Sequence, residues 1–402
     1  MDTAPATSRR SVGEVFIVFL KLGLTAFGGP IAHLGYFRDE LVLRRQWLGE
    51  AAYADLVALC QFLPGPASSQ VGFALGLMRA GPWGAVAAWT AFTLPSAMAM
   101  VLFATAAAAL DGPLAQGVLH GLKLVAVAVV AQAVWGMART LTPDRQRASI
   151  AVLAIAAIVV LPGAFGQIAA IGLGVAGGLW LCRDLPVAAG AAAHFPVRPR
   201  TGWIALGLFA ALLIGLPILA SSSNSHVIAL FDGFYRAGAL VFGGGHVVLP
   251  LLEAETVARH WLSADAFIAG YGLTQAMPGP LFTFAAYLGA ASEPSPNGLL
   301  GAAIALIAIF APGFLLLIGT LPFWNSLRGR PLAQAGMRGA NAAVVGILGA
   351  ALYNPVFVSA VLGPVDFALA TAGFVALVAW KAPPFAVVLA LGIAGGALGV
   401  AP

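Results

Sequence analysis

Four short glycine- and proline-rich motifs interrupt the apolar segments of this 402-residue chain. Gly28-Gly29-Pro30 and Pro64-Gly65-Pro66 lie in its first half, and Gly243-Gly244-Gly245 and Pro278-Gly279-Pro280 lie in its second half. Proline suits the first position of a helix, and glycine lets the backbone approach a ligand closely. A helix that begins there presents free amide N–H groups and the positive end of its dipole. The motifs therefore predict a binding site for an anion, especially a tetrahedral oxyanion.

The same motifs could instead serve helix packing and kinks, which is the reading we would favour for one isolated motif. Here, however, the motifs belong to an internal repeat. Five blocks of the first half match five blocks of the second half in the same order: Phe19–Pro30 with Phe234–Gly245, Trp47-Leu48 with Trp261-Leu262, Gln61–Pro66 with Gln275–Pro280, Gly84–Pro95 with Gly301–Pro312, and His120–Lys123 with Arg338–Asn341. Such a repeat predicts a membrane protein built from two related halves.

Cationic and amide side chains accompany the motifs at matching positions. Lys21 and Arg236 both precede the first motif of their repeat by about two helical turns, inside largely apolar segments. An intramembrane cation is costly and is a functional candidate by default, although a long side chain can also reach an interface. Gln61 and Gln275 precede the PGP motifs and could donate amide N–H groups to an oxyanion, or join helices to one another.

Three further residues near the motifs are candidates for proton coupling. His33 and His246 follow the first motif of each repeat at positions that do not correspond, and Asp55 corresponds to Ala269. Histidine changes charge near neutral pH, which suits proton coupling. A structural histidine with satisfied hydrogen bonds is the alternative that we favour for both.

The composition restricts the class of protein. Hydrophobic residues make up 60% of the chain and charged residues 9%, whereas a soluble domain carries about 25% charged residues. Ala148–Cys182 and Gly202–Phe231 contain no charge at all. A soluble enzyme, a nucleic-acid binder and a disordered protein are thereby excluded. Two cysteines form no disulfide framework, and the six histidines show no metal-binding spacing, so we expect no metal and no cofactor.

The helices that must position the motifs are of two lengths. The arms around the motifs, such as Ala67–Met78, reach roughly 18 Å, about half of a hydrocarbon core about 30 Å thick. We therefore predict an all-α polytopic membrane protein of two repeats, with broken or re-entrant helices at the FGG and PGP motifs. The alternative is that every apolar segment crosses fully. Complete spans are predicted at 83–110, 114–138, 148–162, 166–182, 202–220, 298–323, 334–353, 356–380 and 384–400.

Charge placement supports this layout. If each broken segment returns to the side from which it came, Arg44, Arg45 and Arg79 face the same side as the other clear basic loops, as the positive-inside rule requires. Five crossings then separate the matched spans 83–110 and 298–323, so the repeats are inverted. The predicted organisation is repeat one at 11–182, a linker at 183–201, a connecting span at 202–226 and repeat two at 227–400.

These residues resemble a known family. FGGP followed by a histidine, WL, QxxPGP and a glycine-led span are similar to the motifs of the chromate ion transporter family, and the second set resembles its two-domain, long-chain form. The resemblance implies a multi-pass protein of the inner membrane that exports chromate, an analogue of sulfate, and so confers chromate resistance. Repeat two departs from the pattern, because Gly245 stands where repeat one has Pro30.

We therefore expect a chromate transporter that works by alternating access and is not an enzyme. A transporter for sulfate or another oxyanion is the alternative within the same class. An intramembrane enzyme is the remote alternative, because it would need a nucleophile–base pair or a metal cluster that the sequence does not provide. The expected partners are the oxyanion and the lipid bilayer, with no nucleic acid. Small residues in Ile171–Gly178 and Gly392–Gly399 are compatible with a homodimer.

Overall fold

The computed structural model describes residues 11–107, 112–161, 164–183, 197–242, 245–327 and 330–400, and these residues form helices and connecting turns without any strand. The helices are α1 Val12–Thr25, α2 Gly29–Phe37, α3 Glu50–Phe62, α4 Ala67–Ala107, α5 Pro113–Leu141, α6 Arg145–Val160, α7 Ala164–Leu181, α8 Pro199–Ser222, α9 His226–Ala239, α10 Val248–Thr256, α11 Ala264–Thr274, α12 Phe284–Ala291, α13 Gly298–Thr320, α14 Trp324–Leu327, α15 Pro331–Ala351, α16 Val358–Ala360, α17 Pro364–Val378 and α18 Pro384–Val400.

Five stretches of these helices are long and apolar enough to cross a membrane, which confirms the predicted polytopic all-α class. They are Ala67–Ala106, Pro113–Leu141, Pro199–Ser222, Gly298–Phe323 and Pro331–Ala360. The most apolar window of Pro199–Ser222 is only 6% buried within the protein. Ser11 and Ser263 cap α1 and α11, because their side chains accept N–H bonds at the starts of these helices.

The arms around the breaks are half-length helices, as predicted. In repeat one, α1 has 14 residues, α2 has 9 and α3 has 13. The long helix α4 is itself interrupted, because Ala80 and Gly81 have non-helical backbone angles (φ −142° and +68°). A Cβ on Gly76 would overlap the carbonyl of Gly84, so the chain turns back on itself there. Repeat two repeats this contact between Gly289 and Gly301, at the corresponding turn between α12 and α13.

Both broken segments of repeat one return to the side from which they came. Glu14, at the start of α1, lies 3.6 Å from the guanidinium of Arg45, which follows the FGG segment, and 3.0 Å from that of Arg79, which follows the PGP segment. In repeat two, the Glu293 N–H donates to the Trp261 carbonyl (2.9 Å), and the His226 ring packs against Trp261. The outer ends of each repeat therefore meet, and we call α1–α2 and α9–α10 the FGG hairpins, and α3–α4 and α11–α12 the PGP hairpins.

The two repeats interlock through their remaining helices. Helix α5 of repeat one packs along α17 and α18 of repeat two, and α15 of repeat two packs along α6 and α7 of repeat one. Glycine makes both contacts close: a Cβ on Gly121 would overlap the Leu391 carbonyl, and a Cβ on Gly178 would overlap the Ala335 carbonyl. Each repeat thus completes the other, so neither half packs as an independent unit.

The packing bears on two sequence predictions, and a third lies mostly outside the described residues. The predicted span 356–380 is divided, because α16 ends at Ala360 and α17 begins at Pro364, where proline opens a new helix. Several glycines of the segments Ile171–Gly178 and Gly392–Gly399 pack inside the chain, against α15 and α5 respectively, which accounts for part of their small residues. The linker at 183–201 lies mostly outside the described residues, which omit 184–196.

Replacing Gly121 by alanine should force α5 and α18 apart, because its methyl group would overlap the backbone of Leu391. Overpacking of this kind costs about 1–3 kcal/mol. We expect Gly121→Ala to lower the melting temperature of the detergent-purified protein. Gly136→Ala on the same helix is the control, because nothing lies within 4 Å of the added carbon. Equal melting of Gly121→Ala and the control would contradict the interlocked packing.

Candidate functional site

The breaks of the two repeats meet and bond to each other. The Gly65 N–H of the first PGP motif donates to the Val241 carbonyl beside the second FGG motif, at 2.7 Å. The Gly279 N–H donates in the same way to the Ala26 carbonyl, at 2.9 Å. These four residues occupy matching positions in the repeat. A pseudo-two-fold axis therefore runs between the two hydrogen bonds.

Pro30 and Gly245 lie on that axis. They are matching residues, and a Cβ on Gly245 would lie 3.5 Å from Pro30 Cγ. The replacement of proline by glycine in repeat two is thus explained by space, because two proline rings would compete for the same place. Gly243 and Gly244, which the sequence predicts beside this contact, lie outside the described residues.

Positive φ angles and close packing require glycine at the breaks. Gly28, Gly29, Gly65 and Gly279 have φ angles of +97°, +78°, +118° and +94°. Side chains rarely tolerate this region. A Cβ on Gly65 would also lie 3.0 Å from the Gly313 Cα, and one on Gly279 would lie 3.0 Å from Ser96 Oγ. The motifs therefore hold the backbones of the two repeats in contact.

Helix N-termini follow the breaks, as the sequence predicts for an anion site. Helix α2 begins at Gly29 with Pro30 in its first turn, and α4 begins immediately after Pro66. In repeat two, 3₁₀ turns at Gly245–Val247 and Leu281–Thr283 precede α10 and α12. The first repeat thus presents regular α-helical N-termini at the junction, whereas the second presents tighter turns.

The two predicted cations have different surroundings. Lys21 is exposed on α1. Arg236 is engaged by two carboxylates, Asp232 and Glu255, each at 2.8 Å, and Glu255 also pairs with Arg259 at 2.8 Å. Asp232 and Glu255 are almost fully buried, so Arg236 is needed to compensate their charge.

The polar candidates near the PGP motifs occupy different environments. Gln61 is exposed at the end of α3, whereas Gln275 is half-buried and its amide nitrogen lies 3.4 Å from the Tyr271 carbonyl. Asp55 is buried on the inner face of α3. His246 lies 2.7 Å from the Tyr271 hydroxyl, so this histidine has a structural partner. Among the described residues, no group of three or more His, Cys, Asp or Glu side chains is placed to hold a metal ion.

His33 belongs to a buried polar cluster that the sequence motifs only partly indicate. Its Nδ1 lies 3.4 Å from Ser68 Oγ, and its ring packs edge-on against Phe92. Gln70, which the motifs do not single out, donates to the Pro64 and Gly313 carbonyls and so fastens the PGP break to α13. Thr93 is also buried, and the motifs do not single it out either. Gln70 aligns with Phe284 of repeat two, and Thr93 aligns with Phe310. An alignment of the repeats would therefore have shown that both polar residues are specific to repeat one.

Comparison with known proteins gives a consistent result for the two halves. The sequence model of the family described as chromate transporter matches residues 13–180 and again residues 228–397. The two matches thus coincide with the two repeats.

Curated proteins of similar length are also similar to the chain. The chromate transport protein of Pseudomonas aeruginosa is 28% identical over 96% of this chain and 92% of its own length. That of Cupriavidus metallidurans is 27% identical over 87% of this chain and 82% of its own length. A probable chromate transport protein of Synechococcus elongatus is 29% identical over 85% and 84%, respectively. No solved structure shows significant similarity.

The contact between Pro30 and Gly245 can be tested by a disulfide. In a background of Cys60→Ser and Cys182→Ser, we expect Pro30→Cys with Gly245→Cys to form an intramolecular cross-link on mild oxidation, because the two positions lie within disulfide reach. Pro30→Cys with Gly13→Cys is the control pair, since Gly13 lies near the outer end of α1. Fragments that stay joined after proteolysis between the repeats report the bond. Equal cross-linking of both pairs, or of neither, would contradict the meeting of the breaks.

Proposed function

Because the chain belongs to the chromate transporter family, we propose that it exports chromate across the cytoplasmic membrane and so confers chromate resistance. The relatives whose names specify chromate transport support the substrate class. The reciprocal hydrogen bonds between the breaks are the structural observation that carries the proposal, since they bring the helix starts of both repeats to one junction. Chromate is a tetrahedral dianion, which suits such a junction.

The proposed substrate site lies at this junction. It uses the FGG motifs, Gly28-Gly29-Pro30 and Gly243-Gly244-Gly245, and the PGP motifs, Pro64-Gly65-Pro66 and Pro278-Gly279-Pro280. Gln61 and Gln275 border it, and Lys21 and Arg236 remain proposed sources of positive potential rather than direct ligands. His33, Asp55 and His246 remain candidates for proton coupling.

An asymmetry between the PGP hairpins supports alternating access. In repeat two, α11 packs along α5, and a Cβ on Gly272 would overlap the Leu122 carbonyl. In repeat one, α3 has no comparable packing along α15 within the described residues, and its matching face, with Ala54, Ala58 and Gln61, is exposed. We propose that the two arms represent the two states between which each arm alternates.

An ion pair holds α11 against α5. Lys123 on α5 lies 2.9 Å from Asp265 at the start of α11. The matching positions in the other pair of helices are Asn341 and Ala51, which form no ion pair. Buried Asn341 Oδ1 has no hydrogen-bond partner among the described residues. We propose that Lys123 and Asp265 form a latch. While this ion pair keeps α11 packed on α5, the junction is accessible from the side of the protein on which α3 is exposed, which we call the α3 side.

The positions of the arginines set the direction of transport in this proposal. Arg44, Arg45 and Arg79 lie at the outer ends of the repeat-one hairpins, so the positive-inside rule places the α3 side in the cytoplasm. The structure would then be open to the cytoplasm, ready to receive an anion for export. An inside-negative potential favours export by about 2.3 kcal/mol per charge per 100 mV.

Sulfate or another oxyanion is the second candidate substrate, because near-isosteric dianions present the same acceptors to the same donors. The family is one of transporters, and the proposal therefore includes no catalytic step. A homodimer remains a candidate, because a Cβ on Gly172 or Gly392 of the small-residue segments would have nothing within 4 Å.

Everted membrane vesicles test the substrate and the direction together. We expect energised vesicles that contain the protein to accumulate radiolabelled chromate, and vesicles without it to accumulate none above background. Excess sulfate should compete if the site accepts both anions. Lys21→Ala should lower the initial rate about fivefold if Lys21 contributes about 1 kcal/mol of attraction. An unchanged rate would remove Lys21 from the mechanism, and absence of wild-type uptake would contradict chromate export.

The latch is testable by thiol labelling of the exposed face of α3. In the background of Cys60→Ser and Cys182→Ser, Ala58→Cys should react readily with a maleimide. Asp265→Ala should slow this labelling, because loss of the ion pair, worth about 1 kcal/mol, shifts the population about fivefold toward the state in which α3 packs on α15. Asp39→Ala is the control, since both carboxylates are 72% exposed. Equal labelling in the two variants would contradict the latch.

A further inference from the structure

Several buried side-chain atoms of repeat one have no hydrogen-bond partner within the described residues. His33 Nε2, Ser69 Oγ and Thr93 Oγ1 are among them, with Gln70 Oε1 and Trp89 Nε1. His33, Ser69 and Thr93 are 1%, 3% and 1% exposed, respectively. Buried polar atoms in proteins are nearly always paired, so these exceptions need an explanation.

Two of these residues belong to segments that meet at the N-terminus of α4. Ser69 lies with Ser68 in its first turn, immediately after the PGP motif, and His33 Nδ1 lies 3.4 Å from Ser68 Oγ. Thr93 follows Phe92, whose ring packs edge-on against the His33 ring. His33 and the first turn of α4 thus lie together at the first PGP break, where the positive end of the α4 dipole already favours an anion.

Repeat two fills the corresponding place with aromatic rings. Phe282 matches Ser68, and Phe310 matches Thr93. Both rings are buried, and their centroids lie 5.6 Å apart. Val248 matches His33. Ser69 matches Thr283, whose hydroxyl is used by the Pro280 carbonyl. Repeat one thus has a hydroxyl at each of two positions where repeat two has a packed aromatic ring, and an imidazole where repeat two has valine.

Neighbouring polar side chains are occupied in holding the fold. Both bonds of the Gln70 amide nitrogen go to carbonyls, those of Pro64 and Gly313. Ser96 Oγ donates to the Thr93 carbonyl at 3.1 Å. Thr283 of repeat two donates to the Pro280 carbonyl at 2.9 Å. Gln70 Oε1, by contrast, has no partner within the described residues, so this amide is held through its nitrogen.

We propose that His33, Ser68, Ser69 and Thr93, which we call the repeat-one donor cluster, bind the oxyanion directly. The inference rests on the proposed function and specifies its site: the anion lies in repeat one, off the pseudo-two-fold axis. The ligands are neutral hydroxyl and imidazole donors, together with the amides of the first turn of α4. Repeat two then supplies the scaffold and the moving arm rather than an equivalent second site.

Binding and stability measured together separate this role from a structural one. We expect Ser69→Ala and Thr93→Val each to shift the chromate concentration that half-maximally stabilises the purified protein against heat about tenfold upward. Neither should lower the melting temperature without chromate, because the lost hydroxyl has no partner in the protein. Thr93→Ser keeps the hydroxyl and should retain wild-type affinity.

Thr256→Val is the matched control. Thr256 is 2% exposed on α10, and its hydroxyl donates within the helix to the Leu252 carbonyl at 2.7 Å. We expect its chromate dependence to equal that of the wild type. Wild-type affinity in Ser69→Ala and Thr93→Val, or a loss of melting temperature equal to their loss of affinity, would overturn the donor cluster.

Sulfate and molybdate distinguish the failure of the cluster from the failure of the proposed function. If chromate does not stabilise the wild type but sulfate or molybdate does, and Thr93→Val weakens that effect, chromate transport is wrong and the cluster stands. If chromate stabilises the wild type and all variants alike, the cluster is wrong and chromate transport stands. If none of the three anions stabilises the wild type, both are wrong.

Discussion

The need to satisfy backbone polar groups inside a membrane governs this structure. A helix that stops at mid-depth leaves N–H and C=O groups without partners, and hydrocarbon offers no water to replace them. Here the Gly65 N–H donates to the Val241 carbonyl, and the Gly279 N–H donates to the Ala26 carbonyl. Each repeat thus satisfies the breaks of the other. Helices α5 and α15 each pack on the other repeat. This interlocked packing holds both pairs of breaks in place.

The backbone contacts are therefore symmetric between the repeats, whereas some side chains and helix packings are not. The glycine contacts at the turns and the hydrogen bonds at the breaks recur in both halves, since they maintain the backbone. The side chains behind the breaks and the packing of α3 and α11 do not recur. Alternating access requires one anion site that is accessible from one side of the membrane at a time. Two halves with identical side chains and identical packing would instead form two equivalent sites, accessible from both sides or from neither.

Charge is compensated at the ends of the hairpins rather than at their meeting point. Arg236, Arg259, Asp232 and Glu255 form a neutral network, and Glu14 joins Arg45 and Arg79 at the other end. An unpaired buried cation would be costly in an apolar setting, and the charges of these two networks are paired. In the proposed function, helix dipoles and neutral donors at the junction then attract the anion without trapping it in a strong ion pair.

The sequence alone determined the class, the repeat, the half-length arms and the positions of the breaks, because hydropathy, glycine and proline act locally along the chain. It also located Lys21 and Arg236, but not that Asp232 and Glu255 engage Arg236, since that network joins α9 to α10 across the hairpin. Only the tertiary structure decided which breaks bond to which, why Gly245 replaces Pro30, and that His33 meets Ser68. Those outcomes depend on contacts between distant segments, and no local pattern encodes them.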